Sequence, residues 1–364
     1  MVSALIYASL FALMAIGLTL TYMTTKVPNF AYGSFVTIGL YVSYTLVSVN
    51  HASPYAATVV AFFLSGIASV LMYRGVLRPM ARRGSPLVSM MIATFGIDIG
   101  FIGIFGIYTD YLQKTYKFVD VKQFFKLGPD FSLGGVQGIA FVAPLALAVI
   151  GIGLYLLLTK TRFGVAMRAS VENPPLARVL GINVERVYTV SWMLAGGFAG
   201  LAWSLYTLWL PGGTSTGSNV IVEIFASSIL GGLTSIFGAI VGGLIIGGSE
   251  SLVTIGLAQG FGYVGAGIIA LVLLVIGVVL LRRKTPRMRI GGVLFGAVGV
   301  YILGDMITGF PLDFLAPGLA NGFGPNVTPY QQAIPLVIMV VTLLVLPKGL
   351  VALKLRRLLR MEKK

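Results

Sequence analysis

Residues 159–186 read TKTRFGVAMRASVENPPLARVLGINVER, a polar stretch set between two long apolar runs. Five cations (Lys160, Arg162, Arg168, Arg178 and Arg186) face only two anions, Glu172 and Glu185. A segment this basic between two membrane spans belongs on the cytoplasmic side. It is also patterned. Ser170 or Asn173 can cap a short helix, Pro174 and Pro175 suit its first turn, and Gly181 suits its end. Leu176, Ala177, Val179 and Leu180 then form an apolar patch. Such a helix either lies on the lipid surface or is a knob for a cytoplasmic partner, and the residues alone leave both open.

The surroundings of that stretch set the class. The chain has 364 residues, 57% hydrophobic and 10% charged. A soluble domain carries about a quarter charged residues. Spanning a bilayer takes about 20 apolar residues, and this chain has many such runs. The expected fold is therefore an all-α polytopic membrane protein. The net charge of +15 lies in short blocks between spans, which speaks for a membrane and against nucleic acid. Cysteine is absent, so disulfides, thiol catalysis and Cys-bound metals are excluded. One histidine, His51, makes no protein-only zinc site, and no metal is expected. The apolar N-terminus lacks a basic leader and reads as a first span rather than a cleaved signal.

Residues 2–24 form that span. KVPNFAYGS (26–34) then breaks the helix at Pro28 and Gly33, with Asn29 beside them. This is an ordinary turn or a broken helix at membrane depth, where freed backbone lines a pathway. Spans follow at 30–49, 55–73 and 87–108, separated by an outer turn at 51–54 and a basic loop at 74–86. Residues 109–137 read as an extracytoplasmic loop with a surface helix near 112–126 and turns at Pro129 and Gly134-Gly135. Spans at 138–158 and 187–209 flank the opening stretch. In AGGFAG (195–200), Gly196 and Gly200 form a small-xxx-small face. After an outer turn at 211–219, residues 221–230 are too short to cross a bilayer as a helix. Residues 236–256 then form a span whose Gly238, Gly242, Gly243 and Gly247 imply tight helix packing. Residues 257–332 add a helix pair (262–308) and an outer loop, and 333–346 begin the last span.

The basic segments 74–86, 159–186 and 282–289 and the tail from 347 hold four, five, five and seven of the 26 Lys and Arg residues. The bias fixes a topology of about 10–11 transmembrane or re-entrant helices, N-terminus outside and C-terminus cytoplasmic. Residues 1–364 read as one transmembrane domain.

No catalytic constellation stands out, and no GxxxxGK[ST] phosphate loop is present. Active transport would need an ATPase on another chain. The carboxylates inside spans are Asp98, Glu223, Glu250 and Asp305. Each costs about 2.5–3.5 kcal/mol at the bilayer centre on insertion scales unless it meets polar neighbours. Glu250 and Asp305 fall near span ends. Asp98 sits between Gly96 and Gly100, where backbones can crowd close. Glu223 opens the short element, where a helix dipole would favour it. Asn29, Tyr32, Asp98 and Glu223 are the candidates for a translocation pathway or gate.

The opening stretch resembles the signature of the inner-membrane permease subunits of branched-chain amino-acid ABC importers. The resemblance is carried by Thr161-Arg162-Phe163-Gly164, Ala166, Arg168-Ala169, Glu172-Asn173-Pro174, Leu176-Ala177 and Leu180-Gly181-Ile182-Asn183. Residues 12–35, 229–252 and 343–350 are similar to the family's first span, Gly-rich segment and last span end. Departures from the family pattern are Tyr32 where it commonly has His, Thr234 for Gly and Phe237 for Pro. Asp98 and Glu223 stand where neutral or basic residues are usual, and 257–332 exceed the usual length.

The resemblance implies a non-enzymatic permease that binds no cofactor itself. Its partners would be two ATPase subunits carrying ATP and Mg, a second permease chain (sister or identical), an extracytoplasmic solute-binding protein and membrane lipid. Residues 172–182, with Glu172, Asn173, Pro174, Leu176, Ala177, Leu180, Gly181 and Ile182, would be the ATPase-coupling helix of the 159–186 cytoplasmic loop. The solute would be a branched-chain or related amino acid or small polar solute. The residues also admit a secondary transporter using Asp98 or Glu223 as a proton or ion site.

Overall fold

The computed structural model describes residues 2–118, 121–122, 127, 130–259, 292–294, 296–301 and 333–345. The expected elements at 262–281, 282–289 and 309–332, the tail from 347 and most of 290–308 lie outside the described residues. The chain packs as two compact units divided between Gly248 and Ser249.

In the first unit the centre is α1 (Val2–Thr25). Every residue from Ile6 to Thr21 is buried. A helix apolar all round belongs inside a bundle, and α1 packs against α6 (Ile139–Lys160), α9 (Val184–Tyr206) and α10 (Thr216–Gly231). α2 (Tyr32–Ser48) and α3 (Pro54–Met72) close around α9. α5 (Leu87–Tyr116) and α6 lie outside, and many of their apolar side chains, such as Ile92, Ile99, Ile107, Leu145 and Ile152, are exposed. On a membrane protein that face meets lipid or another transmembrane chain. Five described helices are long and apolar enough to cross a membrane.

Glycine sets the closest approaches. A β-carbon on Gly196 would sit 2.6 Å from the Ser65 carbonyl of α3, and one on Gly200 would sit 2.7 Å from that of Ala61. The expected small-residue face is therefore the α3–α9 contact. In α11 (Ile236–Gln259) the expected glycine face splits in two. Gly238 and Gly242 abut Gly231 of α10, whereas Gly243 and Gly247 abut Ala12 and Tyr7 of α1.

Several boundaries differ from the sequence reading. The basic stretch at 74–86 is mostly helix: α3 passes through a π-turn (Tyr73–Leu77) into α4 (Arg78–Arg82), one helix of 29 residues. Charge marked the membrane exit, not the helix end. α5 likewise runs on to Tyr116 and ends at Lys117 in the left-handed region, so no separate helix starts at 112. Gly134 and Gly135, both at positive φ, turn a two-stranded antiparallel ribbon, β1 (Ser132–Leu133) and β2 (Val136–Gln137). This is the geometry that two-residue hairpins favour. The short element at 221–230 is a 16-residue helix, α10, starting at Thr216.

The second unit begins within α11 at Ser249, with Glu250 and Ser251 buried. It includes the apolar helical stretches Gly292–Tyr301 and Ala333–Val345.

Candidate functional site

The segment after α6 is built from three caps. Thr161 caps α7 (Arg162–Glu172), its hydroxyl accepting from Gly164 N. Asn173 caps α8 (Pro174–Val179), its Oδ1 accepting from Leu176 N at 3.1 Å. Asn183 caps α9, its Oδ1 accepting from Arg186 N at 3.0 Å. Pro174 and Pro175 fill the first turn of α8, where no N–H is needed. Gly181 ends it at φ +81°, and Ile182 N donates to Ala177 O at 2.9 Å, the pattern of a left-handed helix stop. Of the two possible caps Asn173 is the one used. Ser170 is buried in α7, a helix the sequence reading missed because Arg162, Arg168 and Glu172 break up its apolar pattern.

The apolar patch is narrower than expected. Leu176, Val179 and Leu180 are 53%, 83% and 69% exposed, but Ala177 is 1% exposed and faces the bundle. Three large aliphatic side chains thus stand outward on a rigid, capped turn. Tyr188 Oη donates to Ser170 O at 3.0 Å, and Arg168 donates to the Leu158 carbonyl. These bonds fix the segment to α9 and α6. On the α3–α4 side, Arg78 Nε lies 2.7 Å from Glu185 Oε2, a close ion pair without hydrogen-bond alignment. Arg82 meets Glu185 Oε1 at 3.3 Å. Between them is a cavity of about 310 Å³ lined by Thr24, Tyr73, Arg78, Arg178, Glu185 and Tyr188, among others.

The four pathway candidates do not form one cluster. Asp98 is buried and accepts from Ser34 Oγ at 2.5 Å and Ser218 Oγ at 2.7 Å. It ties α2, α5 and α10 together through hydroxyls that no motif pointed to. Close backbone crowding does not show at the flanking glycines: a β-carbon built on Gly96 or Gly100 would meet no atom within 4 Å among the described residues. Tyr32 is fully buried and turned the other way, its hydroxyl donating to Met14 O at 2.9 Å and Ala195 O at 3.2 Å. It joins α1, α2 and α9. Glu223 is buried in the middle of α10, not at its start, so the helix dipole does not account for it.

Asn29 is different. It lies in the break between α1 and α2 and is buried, and neither of its amide atoms has a partner among the described residues. The next residue, Phe30, donates its backbone N–H to Thr94 Oγ1 of α5 at 3.2 Å. Its ring packs on Phe95 of α5 and Phe225 of α10. The break therefore sits against two of the three helices that Asp98 ties together, α5 and α10. Among the described residues no group of three acidic, His or Cys side chains could hold a metal.

A bundle of apolar helices, broken at one buried point and carrying an outward-facing capped turn at its basic end, is the architecture of a multi-pass membrane permease. The chain belongs to the family described as branched-chain amino acid transport system permease component, whose model matches residues 1–282. It is 45% identical over 259 residues to the probable branched-chain amino acid transport permease protein LivH of Methanocaldococcus jannaschii, covering 71% of this chain and 82% of that one. It is 29% identical to the high-affinity permease protein BraD of Pseudomonas aeruginosa (69% and 84% covered) and 28% identical to LivH of Escherichia coli K12 (76% and 92% covered). No solved structure matches. Proteins of this family are membrane-embedded transport components, not enzymes, and ATP hydrolysis falls to separate subunits.

Proposed function

We propose that this chain forms the translocation pathway of an ATP-driven importer for branched-chain or related amino acids and small polar solutes, and that α8 couples it to separate ATPase subunits. The observation that carries the reading is the exposure of Leu176, Val179 and Leu180 on a turn capped by Asn173 and closed at Gly181. An apolar anchor with a charged rim, here Arg178, Arg186 and Glu172, is how a small helix docks in a protein cleft. The family membership and the relatives' names support the solute class. The arginine-rich end then faces the cytoplasm. Two ATPase subunits, a second permease chain and an extracytoplasmic solute-binding protein complete the assembly, and ATP and Mg belong to the ATPases.

In this scheme ATPase closure moves α8 and switches access to the pathway. Asn29 is the pathway residue of choice. A buried amide without partners is costly at rest and gains partners when the α1–α2 break opens to solute. Asp98 and Tyr32 hold the frame around it. The test is Leu176→Arg in the assembled complex. ATPase co-purification and amino-acid uptake should both fall sharply. Intact co-purification and uptake would remove α8 from the coupling role.

A further inference from the structure

Two helices are fastened along their whole length at the place where α8 enters the bundle. Four residues separate the end of α8 from the start of α9, and Glu185 is the second residue of α9. The α3–α4 helix runs 29 residues, about 43 Å at 1.5 Å per residue, and a bilayer core is about 30 Å thick. Its Arg78–Arg82 end therefore projects past the core. Along the shared length Thr58 and Ser204 hydroxyls meet at 2.8 Å, and Ser69 Oγ donates to Trp192 O at 2.9 Å. Tyr73 stacks on Trp192, with ring centroids 5.3 Å apart. Arg74 Nε donates to Thr189 Oγ1 at 3.3 Å, and Glu185 closes the series on Arg78 and Arg82.

The π-turn sets this last contact. A π-turn adds one residue to the helical repeat, which turns everything after it by about 100°. Without it Arg78 and Arg82 would point away from α9. The ion pair is about one-third exposed, and pairs of that kind contribute little to stability. Its value lies in position.

We propose that Glu185 is the positioning residue that carries the α3–α9 contact past the bilayer core onto the Arg78–Arg82 end, so that displacement of α8 reaches that end of α3–α4 together with α9. This rests on the coupling role of α8 proposed above. Loss of this link should lower solute moved per ATP several-fold while ATP hydrolysis continues.

The experiment uses the full importer in proteoliposomes, with uptake and ATP hydrolysis measured together. Glu185→Gln should keep its ATPase partners and hydrolyse ATP, yet move far less solute per ATP. A swapped variant, Glu185→Arg with Arg78→Glu and Arg82→Gln, should regain most of the ratio. An unchanged ratio in Glu185→Gln overturns the proposal. So does loss of the ATPase partners from that variant, because the residue would then serve docking. A swapped variant that keeps its partners but stays uncoupled also overturns it. The docking reading fails separately, through the Leu176→Arg co-purification test, whatever Glu185→Gln does.

Discussion

Gly33 of α2 and Gly217 of α10 stand backbone to backbone, so that a β-carbon on either would overlap the carbonyl of the other. Just beyond this contact Thr37 Oγ1 accepts from Gly217 N at 3.0 Å. Overpacking a tight contact costs about 1–3 kcal/mol, and here both obstacles are backbone. Gly217→Ala should lower the thermal midpoint of the purified protein measurably, and Gly217→Val should reduce folded yield more severely. Wild-type midpoints for both variants would mean that the two helices separate freely.

Asp98 accepts two hydroxyl hydrogen bonds from two other helices. Asp98→Ala leaves the buried Ser34 hydroxyl and the half-buried Ser218 hydroxyl unmatched, at about 1–3 kcal/mol. Asp98→Asn keeps one acceptor and is expected to be milder. Because the carboxylate is occupied by protein hydroxyls, Asp98→Asn should lower thermal stability while changing the apparent uptake KM less than twofold, a margin of under about 0.4 kcal/mol. A large KM change at wild-type stability would return Asp98 to the pathway.

Asn29 should show the opposite pattern. Removing a buried amide that has no partner among the described residues relieves a cost of about 1–3 kcal/mol, set against the loss of packing volume. Asn29→Leu is therefore expected to melt at or above the wild-type temperature and to import poorly. Thermal unfolding and uptake on one preparation give the answer. Full uptake would leave Asn29 without a role in the path.

Asn173 supplies one hydrogen bond to the first turn of α8. Loss of such a cap costs about 1 kcal/mol locally. Asn173→Ala should weaken ATPase association several-fold and leave the melting of the transmembrane bundle unchanged. Asn173→Ser or Asn173→Asp, both good caps, should restore association. Failure of both to do so would show that the cap geometry is not what the partner reads.

What the sequence revealed was local. Caps, prolines and Gly181 delimit α8 within a few residues, and composition alone marks a membrane protein. The projecting end of α3 was hidden because arginine signals the bilayer boundary and says nothing of where helical hydrogen bonding stops. The roles of Tyr32 and Asp98 were hidden for another reason. Their partners, Ala195 and Ser218, lie more than 100 residues away in sequence, and no local periodicity encodes them. Gly196 and Gly200 were legible as a packing face, but the Ser65 and Ala61 carbonyls opposite them were not. The position of Glu223 within its helix was misread because α10 starts five residues earlier than its apolar run.

The hydroxyls of α1 carry a consequence for biogenesis. This helix leaves the ribosome before the helices that bury it, since α6, α9 and α10 come more than 100 residues later. Ser9, Thr21, Thr24 and Thr25 each donate to a carbonyl of α1 itself, three or four residues back. Their polarity is thus met without help from any neighbour. Thr19, by contrast, waits for Ser228 of α10, at 2.6 Å. The newborn α1 can rest in lipid as a self-contained segment and later be enclosed without rearranging its own bonds.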